Sequence, residues 1–265
     1  LDALPPGPVA LEDPGYRAAV ATVRASHREI VDVAAVGPLG SMQGWAAAYV
    51  TPAHQHPLGH VMPAGDRLLL LAAARRAGAV VIEDDYDSEF RYDVAPVPAL
   101  ASLDREHVAY LGTAAKSVAP SLRLGWLVAP PALHEEICRR RAIRHDAVAW
   151  PVQRAFVALL RDGYVDQVVR SARRVYAERA PRVAAVMGRH AVPTGAAAGM
   201  YTTWLLPHDR ALAVQHAAER AGFGVNLLAD YCRTAELTGL VVGFGGVTDT
   251  ELDAALAVID RALGG

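Results

Sequence analysis

Apolar residues in the first half of the chain come in short runs, at residues 8–11, 29–33, 46–50, 79–82, 108–111 and 124–128. They show little of the alternation that marks a strand with one wet face, and so predict buried strands of a largely parallel sheet. Between them, residues 17–25 and 66–77 carry helical spacing, the second stopped by Gly78. From Pro131 the pattern lengthens into helices over 133–144 and 152–187, the latter interrupted near Asp162-Gly163. The last third returns to alternation: a strand over 201–206, a helix over 210–221, a strand over 239–244 and a helix over 249–263. Thr248-Asp249-Thr250-Glu251 fits a capping box for that last helix. It assigns the glycines of Gly243-Phe244-Gly245-Gly246 to a strand-to-helix turn, because the third glycine of a dinucleotide fingerprint is missing. The rhythm predicts an α/β protein with a large domain over 1–148 and a smaller α/β domain over 149–265. No repeat or low-complexity segment interrupts it, and Pro96 and Pro98 mark a loop after Tyr92.

Composition narrows the function. At 265 residues and 52% hydrophobic the chain buries a sizeable core, which excludes disorder. A net charge of −2 leaves no excess of positive charge to hold a phosphate backbone, so this chain alone is not expected to bind DNA. Its apolar runs fall far short of the roughly 18 residues of a membrane span. With two cysteines, Cys138 and Cys232, and no leader, the expected setting is soluble, reducing and cytoplasmic. The opening at Leu1 rather than Met reads as a fragment of a longer chain.

The 26 basic residues are 25 Arg and a single lysine, Lys116. An ammonium can lose its proton and attack a carbonyl, which a guanidinium does not do. Chance survival in an Arg-biased composition carries equal weight on this ground alone. Lys116 follows the strand at 108–111 across Gly112-Thr113-Ala114-Ala115, and Arg123 lies seven residues on. The neighbouring strand, 79–82, runs into Glu83-Asp84-Asp85-Tyr86-Asp87, which places carboxylates at the carboxyl end of a parallel strand, where open α/β sheets bind ligands. Asp84 and Tyr86, two apart, project to one side if the extended backbone continues. A hard-cation site and a solvated loop are the competing readings of this acidic run. An amine, a carboxylate, a phenol and a guanidinium are together what a pyridoxal phosphate site needs: an imine partner, a countercharge for the pyridinium nitrogen, a donor to the ring oxygen and a phosphate clamp.

The stretches IEDDYDSEFRYD (82–93), YLGTAAKSVAPSLRLGWLVAP (110–130), LEDPGY (11–16) and YVTPAHQHPLG (49–59) resemble the aminotransferase-like domain of MocR/GabR-type regulators. In these proteins a GntR-type winged helix precedes a domain of the fold-type I, pyridoxal-phosphate-dependent aminotransferase class. The likeness spans essentially the whole chain and is strongest over 11–130. It implies that Lys116 forms the internal aldimine, Asp84 partners the pyridinium nitrogen and Tyr86 bonds the ring oxygen. It implies that Arg123, helped by Thr113, holds the phosphate, that Gln55 or His54 lies near the ring, and that Tyr16 lines the site. Three positions depart from the family pattern: Ala115 stands where Ser precedes the lysine, His56 where an aromatic residue is usual, and Leu58 where Thr or Ser is usual. A Gly-Ser-Gln-type phosphate segment is expected upstream of Leu1.

Weaker constellations complete the reading. His54, His56 and His60 offer no helical i, i+4 pair with a nearby Glu to support zinc, so a packed or solvated loop is the expected reading, and no GxSxG, P-loop or CxxC occurs. The arginines 139–141 with Arg144 read as a solvated helix face. Arg233 is a candidate anchor for the carboxylate of an amino-acid ligand, with a plain surface arginine as the competing reading. The resemblance implies a homodimer, an amino acid or amine as effector, and DNA contact only through an upstream winged helix. A sensing domain of a regulator is the first reading and a working aminotransferase the alternative; a decayed domain without cofactor is the third.

Overall fold

The computed structural model describes residues 1–92 and 98–264; Asp93 and Pro96 lie outside the described residues. Six strands, β1 (Val9–Asp13), β2 (Ile30–Ala34), β3 (Ala47–Val50), β4 (Val80–Asp85), β5 (Val108–Thr113) and β6 (Gly125–Val128), form one sheet in the order β2-β1-β3-β4-β5-β6. Every neighbouring pair is parallel except the last, in which β6 runs against β5. Helices α1 (Arg17–Ala25), α2 (Ala64–Ala77) and the single-turn α3 (Leu100–Leu103) connect these strands. One sheet face buries Ala48, Val50 and Val81 against Leu70, Leu71 and Ala74 of α2. The other buries Val9, Leu11 and Ala47 against Val20 and Val23 of α1. Gly78 caps α2 at φ 64°, a left-handed conformation that glycine adopts without a Cβ penalty.

Three helices follow: α4 (Pro131–Arg144), α5 (Trp150–Arg161) and α6 (Tyr164–Met187). Gly163, at φ 71°, makes the break between the last two, where the sequence pattern placed it. The expected division at residues 148/149 falls in the link between α4 and α5. On α4, Arg139 and Arg140 pair with Glu136, Arg141 with Asp146 and Arg144 with Asp2, on an exposed face.

The C-terminal part is an antiparallel sheet of β7 (Val192–Pro193), β8 (Tyr201–Leu205), β9 (Asn226–Leu227) and β10 (Gly239–Gly243), in the order β7-β8-β10-β9. Helices α7 (His208–Arg220) and α8 (Asp249–Gly264) pack on it with α6 around Trp204, Leu240, Phe244 and Ile259. The capping box forms as expected: Thr248 Oγ1 accepts from the Glu251 amide, and Glu251 accepts from the Thr248 amide at 2.7 Å. Phe90, from the first half of the chain, is fully buried in this second core beside Tyr176.

Several features depart from the sequence pattern: the edge strands β2 and β6 are half-buried or exposed rather than buried, because each has a neighbour on one side only, and the single-turn α3 was not expected. β4 continues three residues past Ile82, because Asp84 and Asp85 still pair with Leu111 and Gly112 of β5 while their side chains find partners of their own. The two-residue strands β7 and β9 went unpredicted, being too short to show a period.

Candidate functional site

Alternation along β4 sorts the acidic run onto different partners. Glu83 and Asp85 face one side: Glu83, 1% exposed, accepts from the amides of Leu100 and Ala101 and so caps α3, while Asp85 accepts from Ser88 and the Tyr110 hydroxyl. Asp84 faces the other side and accepts a short hydrogen bond from the Tyr49 hydroxyl. Asp87 turns to His54, with Oδ2 2.7 Å from Nδ1. With its carboxylates divided this way, the run does not converge as a cation site requires, and no group of three or more candidate metal ligands occurs among the described residues.

Asp84 and Tyr49 stand at one end of an apolar cavity of about 350 Å³, between the sheet and α1 and α4, whose walls include Tyr16, Ile82, Leu111 and Leu127. Burial raises the Asp84 carboxyl above its ordinary range, against the stabilising bond from Tyr49, and burial with the Asp84 charge raises the Tyr49 phenol. Tyr16 is 44% exposed. His56 lies edge-on to four tyrosines, Tyr16, Tyr86, Tyr201 and Tyr231, with ring centroids 5.2 to 5.8 Å apart. Burial first, then the charges of His54 and Lys116, push its imidazole down to about 4, so it is neutral at physiological pH. Lys116 and Arg123 are both exposed on the loop after β5, and among the described residues neither has an ion-pair or hydrogen-bond partner. Arg123 holds a left-handed φ of 51°.

The other expected site residues are committed to protein partners. Gln55, 2% exposed, donates to Glu12, the Pro14 carbonyl and the His56 carbonyl and accepts from the Leu58 amide, which fixes the 55–58 turn. Thr113 Oγ1 accepts from the Ala115 amide at 3.1 Å. His54, 2% exposed, lies behind Tyr86 and stacks on Tyr201. The Arg233 guanidinium pairs with Asp32 and donates to the carbonyls of Leu11 and Glu12, leaving one buried nitrogen without a partner. Together with Asp13, which accepts from the amides of Arg233, Thr234 and Ala235, it fastens the segment before β10 to the end of β1. Tyr201 and Tyr231 are not singled out by the sequence, and Tyr49 and Asp87 figure only within the 49–59 and 82–93 stretches, since each matters through a fold contact remote in sequence.

The chain is similar over 191 residues, at 36% identity, to the probable rhizopine catabolism regulatory protein MocR of Rhizobium meliloti, covering 68% of this chain and 38% of that protein. It is 30% identical over 267 residues to the HTH-type pyridoxine biosynthesis transcriptional regulator PdxR of Corynebacterium glutamicum, covering 97% of this chain and 58% of that one. The chain is a homologue of the MocR-type regulators. It corresponds to their aminotransferase-like region and spans less than two thirds of the length of these relatives. Among solved structures, LysN, the α-aminoadipate aminotransferase of Thermus thermophilus, superposes with a TM-score of 0.84 at 23% identity, covering 98% of this chain and 71% of that one. The fold is accordingly that of the fold-type I aminotransferases. No family model matches the chain. No helix among the described residues is long and apolar enough to cross a membrane.

Proposed function

We propose that this chain is the pyridoxal-phosphate-binding, effector-sensing region of a MocR-type regulator, with Lys116 as the attachment point. The observation that carries the reading is that the chain's single lysine, exposed and without a partner among the described residues, follows β5, next to the β4 exit that carries Asp84 and Tyr86. The donor set fits such a group: a buried carboxyl bonded by a phenol, an apolar cavity beside it with the Tyr16 ring at its wall, and an arginine with no partner among the described residues. The LysN structure in this fold was obtained with a phosphopyridoxyl-leucine adduct.

When bound, the cofactor supplies an electrophilic carbonyl carbon and an electron-withdrawing ring. The chain's own residues then have distinct tasks. Lys116 provides the nucleophilic amine. Asp84, half-buried and held by Tyr49, offers a negative charge to a protonated ring nitrogen. Tyr86, whose phenol is raised well above its ordinary range by burial and then by Asp87, stays an O–H donor. Arg123 and Thr113 are the phosphate ligands in this reading, and an amino acid or amine is the effector. DNA binding belongs to an upstream winged helix, and the assembly is a homodimer in the cytoplasm.

The test is an absorbance titration with pyridoxal phosphate, followed by an amino-group transfer assay. A visible band that Lys116→Ala abolishes, without turnover of amino acids, supports the sensor. Turnover that depends on Lys116 supports the alternative, a working aminotransferase, and the absence of any band refutes both.

A further inference from the structure

Asp87 is fully buried, and its side-chain partner is His54, itself 2% exposed. A carboxylate oxygen only accepts, so the 2.7 Å contact assigns the His54 proton to Nδ1. The Tyr86 hydroxyl lies 2.9 Å from the His54 carbonyl, 3.2 Å from His54 Nδ1 and 2.9 Å from the Tyr201 hydroxyl, which in turn is 3.3 Å from the Gln55 carbonyl. Three rings are thereby layered, with His54 nearly parallel to Tyr86 and to Tyr201, at 18° and 25°. Among the described residues, Asp87 Oδ1 and His54 Nε2 are buried without partners, an expense a merely structural packing site would avoid by using apolar residues.

The pair also touches the C-terminal sheet. Gly199 has φ 62°, and a Cβ there would lie 2.7 Å from Asp87 Oδ2 and 3.1 Å from the His54 ring, so the backbone entering β8 rests directly on the pair. The same strand donates from Thr203 to the Pro57 carbonyl, and Thr194 donates to the Leu58 carbonyl at 2.7 Å.

We infer that Asp87 and His54 are a buried positioning pair that fixes the Tyr86 hydroxyl and makes its placement depend on how the C-terminal sheet is seated. The inference rests on the proposed function in one respect: Tyr86 must face the bound cofactor. A hydroxyl held this way donates to the His54 carbonyl and needs only to turn its one proton toward a ring oxygen, and a shift of β8 on the pair disturbs its place.

Two readouts test this. In the chain without cofactor, the imidazole proton on His54 Nδ1 should give a downfield, exchange-protected NMR resonance that Asp87→Asn removes and Tyr86→Phe retains. In the chain with pyridoxal phosphate, Tyr86→Phe should move the pH midpoint of the visible band up by about one unit, because a donor to the ring oxygen is lost. Asp87→Asn should move it in the same direction, whereas His54→Gln, which keeps an amide donor toward Asp87, should move it much less. Should Asp87→Asn fail to fold, Gly199→Ala, which crowds the pair, takes its place with the same expected shift. A folded protein lacking the downfield resonance, or a midpoint that moves with Tyr86→Phe but not with either pair variant, overturns the positioning role alone. Absence of the visible band in the unaltered chain overturns the proposed function and the positioning role with it.

Discussion

Glu12 offers a sharp test of the buried polar layer beneath the site. Its carboxyl is 5% exposed and accepts from the Thr51 amide, the Thr51 hydroxyl and Gln55, yet burial outweighs these bonds and pushes it up to about 7. The folded value thus lies above the unfolded one of 4.5, so the folded state binds the proton more tightly and stability falls as pH rises between the two values. At 1.36 kcal/mol per unit, a shift of that size amounts to roughly 3 kcal/mol of stability lost by pH 8. Glu12→Gln removes the ionisation while keeping a neutral side chain of the same shape; its misaligned amide costs about 1 to 3 kcal/mol at every pH. His56 acts oppositely, since its imidazole is held down to about 4 and stability therefore rises with pH from there to its ordinary 6.5. Glu89, raised to about 7 mainly by burial, acts in the same sense as Glu12. The informative quantity is consequently the difference between variant and parent, in which those groups cancel. Urea unfolding at pH 5 and pH 8 should show Glu12→Gln gaining on the parent by roughly 2 to 4 kcal/mol over that span. A difference that stays constant, or moves the other way, refutes the assignment of a buried, reluctantly ionised Glu12.

Phe90→Ala should cost about 3–5 kcal/mol, because it empties a fully buried position joining the first half of the chain to the second core; denaturant unfolding with a change below about 1 kcal/mol would show that the cavity collapses. Arg233→Ala should cost about 1–3 kcal/mol through loss of the Asp32 pair and two carbonyl bonds, read by the same method; no loss would mean the tie between the C-terminal segment and β1 contributes nothing. Thr248→Ala should remove about 1 kcal/mol by undoing the α8 cap, with amide exchange in the first turn of α8 accelerating correspondingly.

Most of the large sheet was legible because its strands are written as short apolar runs, and the six observed strands fall on those six runs; the edge strands β2 and β6 are nonetheless mostly half-buried or exposed, and β6 is antiparallel. Gly78, Gly163 and the Thr248–Glu251 box marked their boundaries through conformations that few residue types supply. Of the site, the expectation that Asp84 and Tyr86 share one side assumed that the extended backbone continues, whereas β4 ends at Asp85: Asp84 accepts from Tyr49, and Tyr86 bonds the His54 carbonyl and Tyr201. What stayed hidden is the role of charged and polar groups whose partners lie far along the chain. Asp87 and His54 are 33 positions apart and Tyr86 and Tyr201 115 apart, and no local period encodes such pairings. Arg233 is instructive in the same way: bidentate chemistry was expected to suit a ligand carboxylate, and in the fold that chemistry serves Asp32 and two carbonyls.

The most direct measurement is to incubate the protein with pyridoxal phosphate, reduce with borohydride, digest, and locate the modified peptide by mass spectrometry. The account predicts one phosphopyridoxyl group, on Lys116, absent from Lys116→Ala and from protein treated without reductant. Modification at the amino terminus alone, or none at all in folded protein, would contradict it.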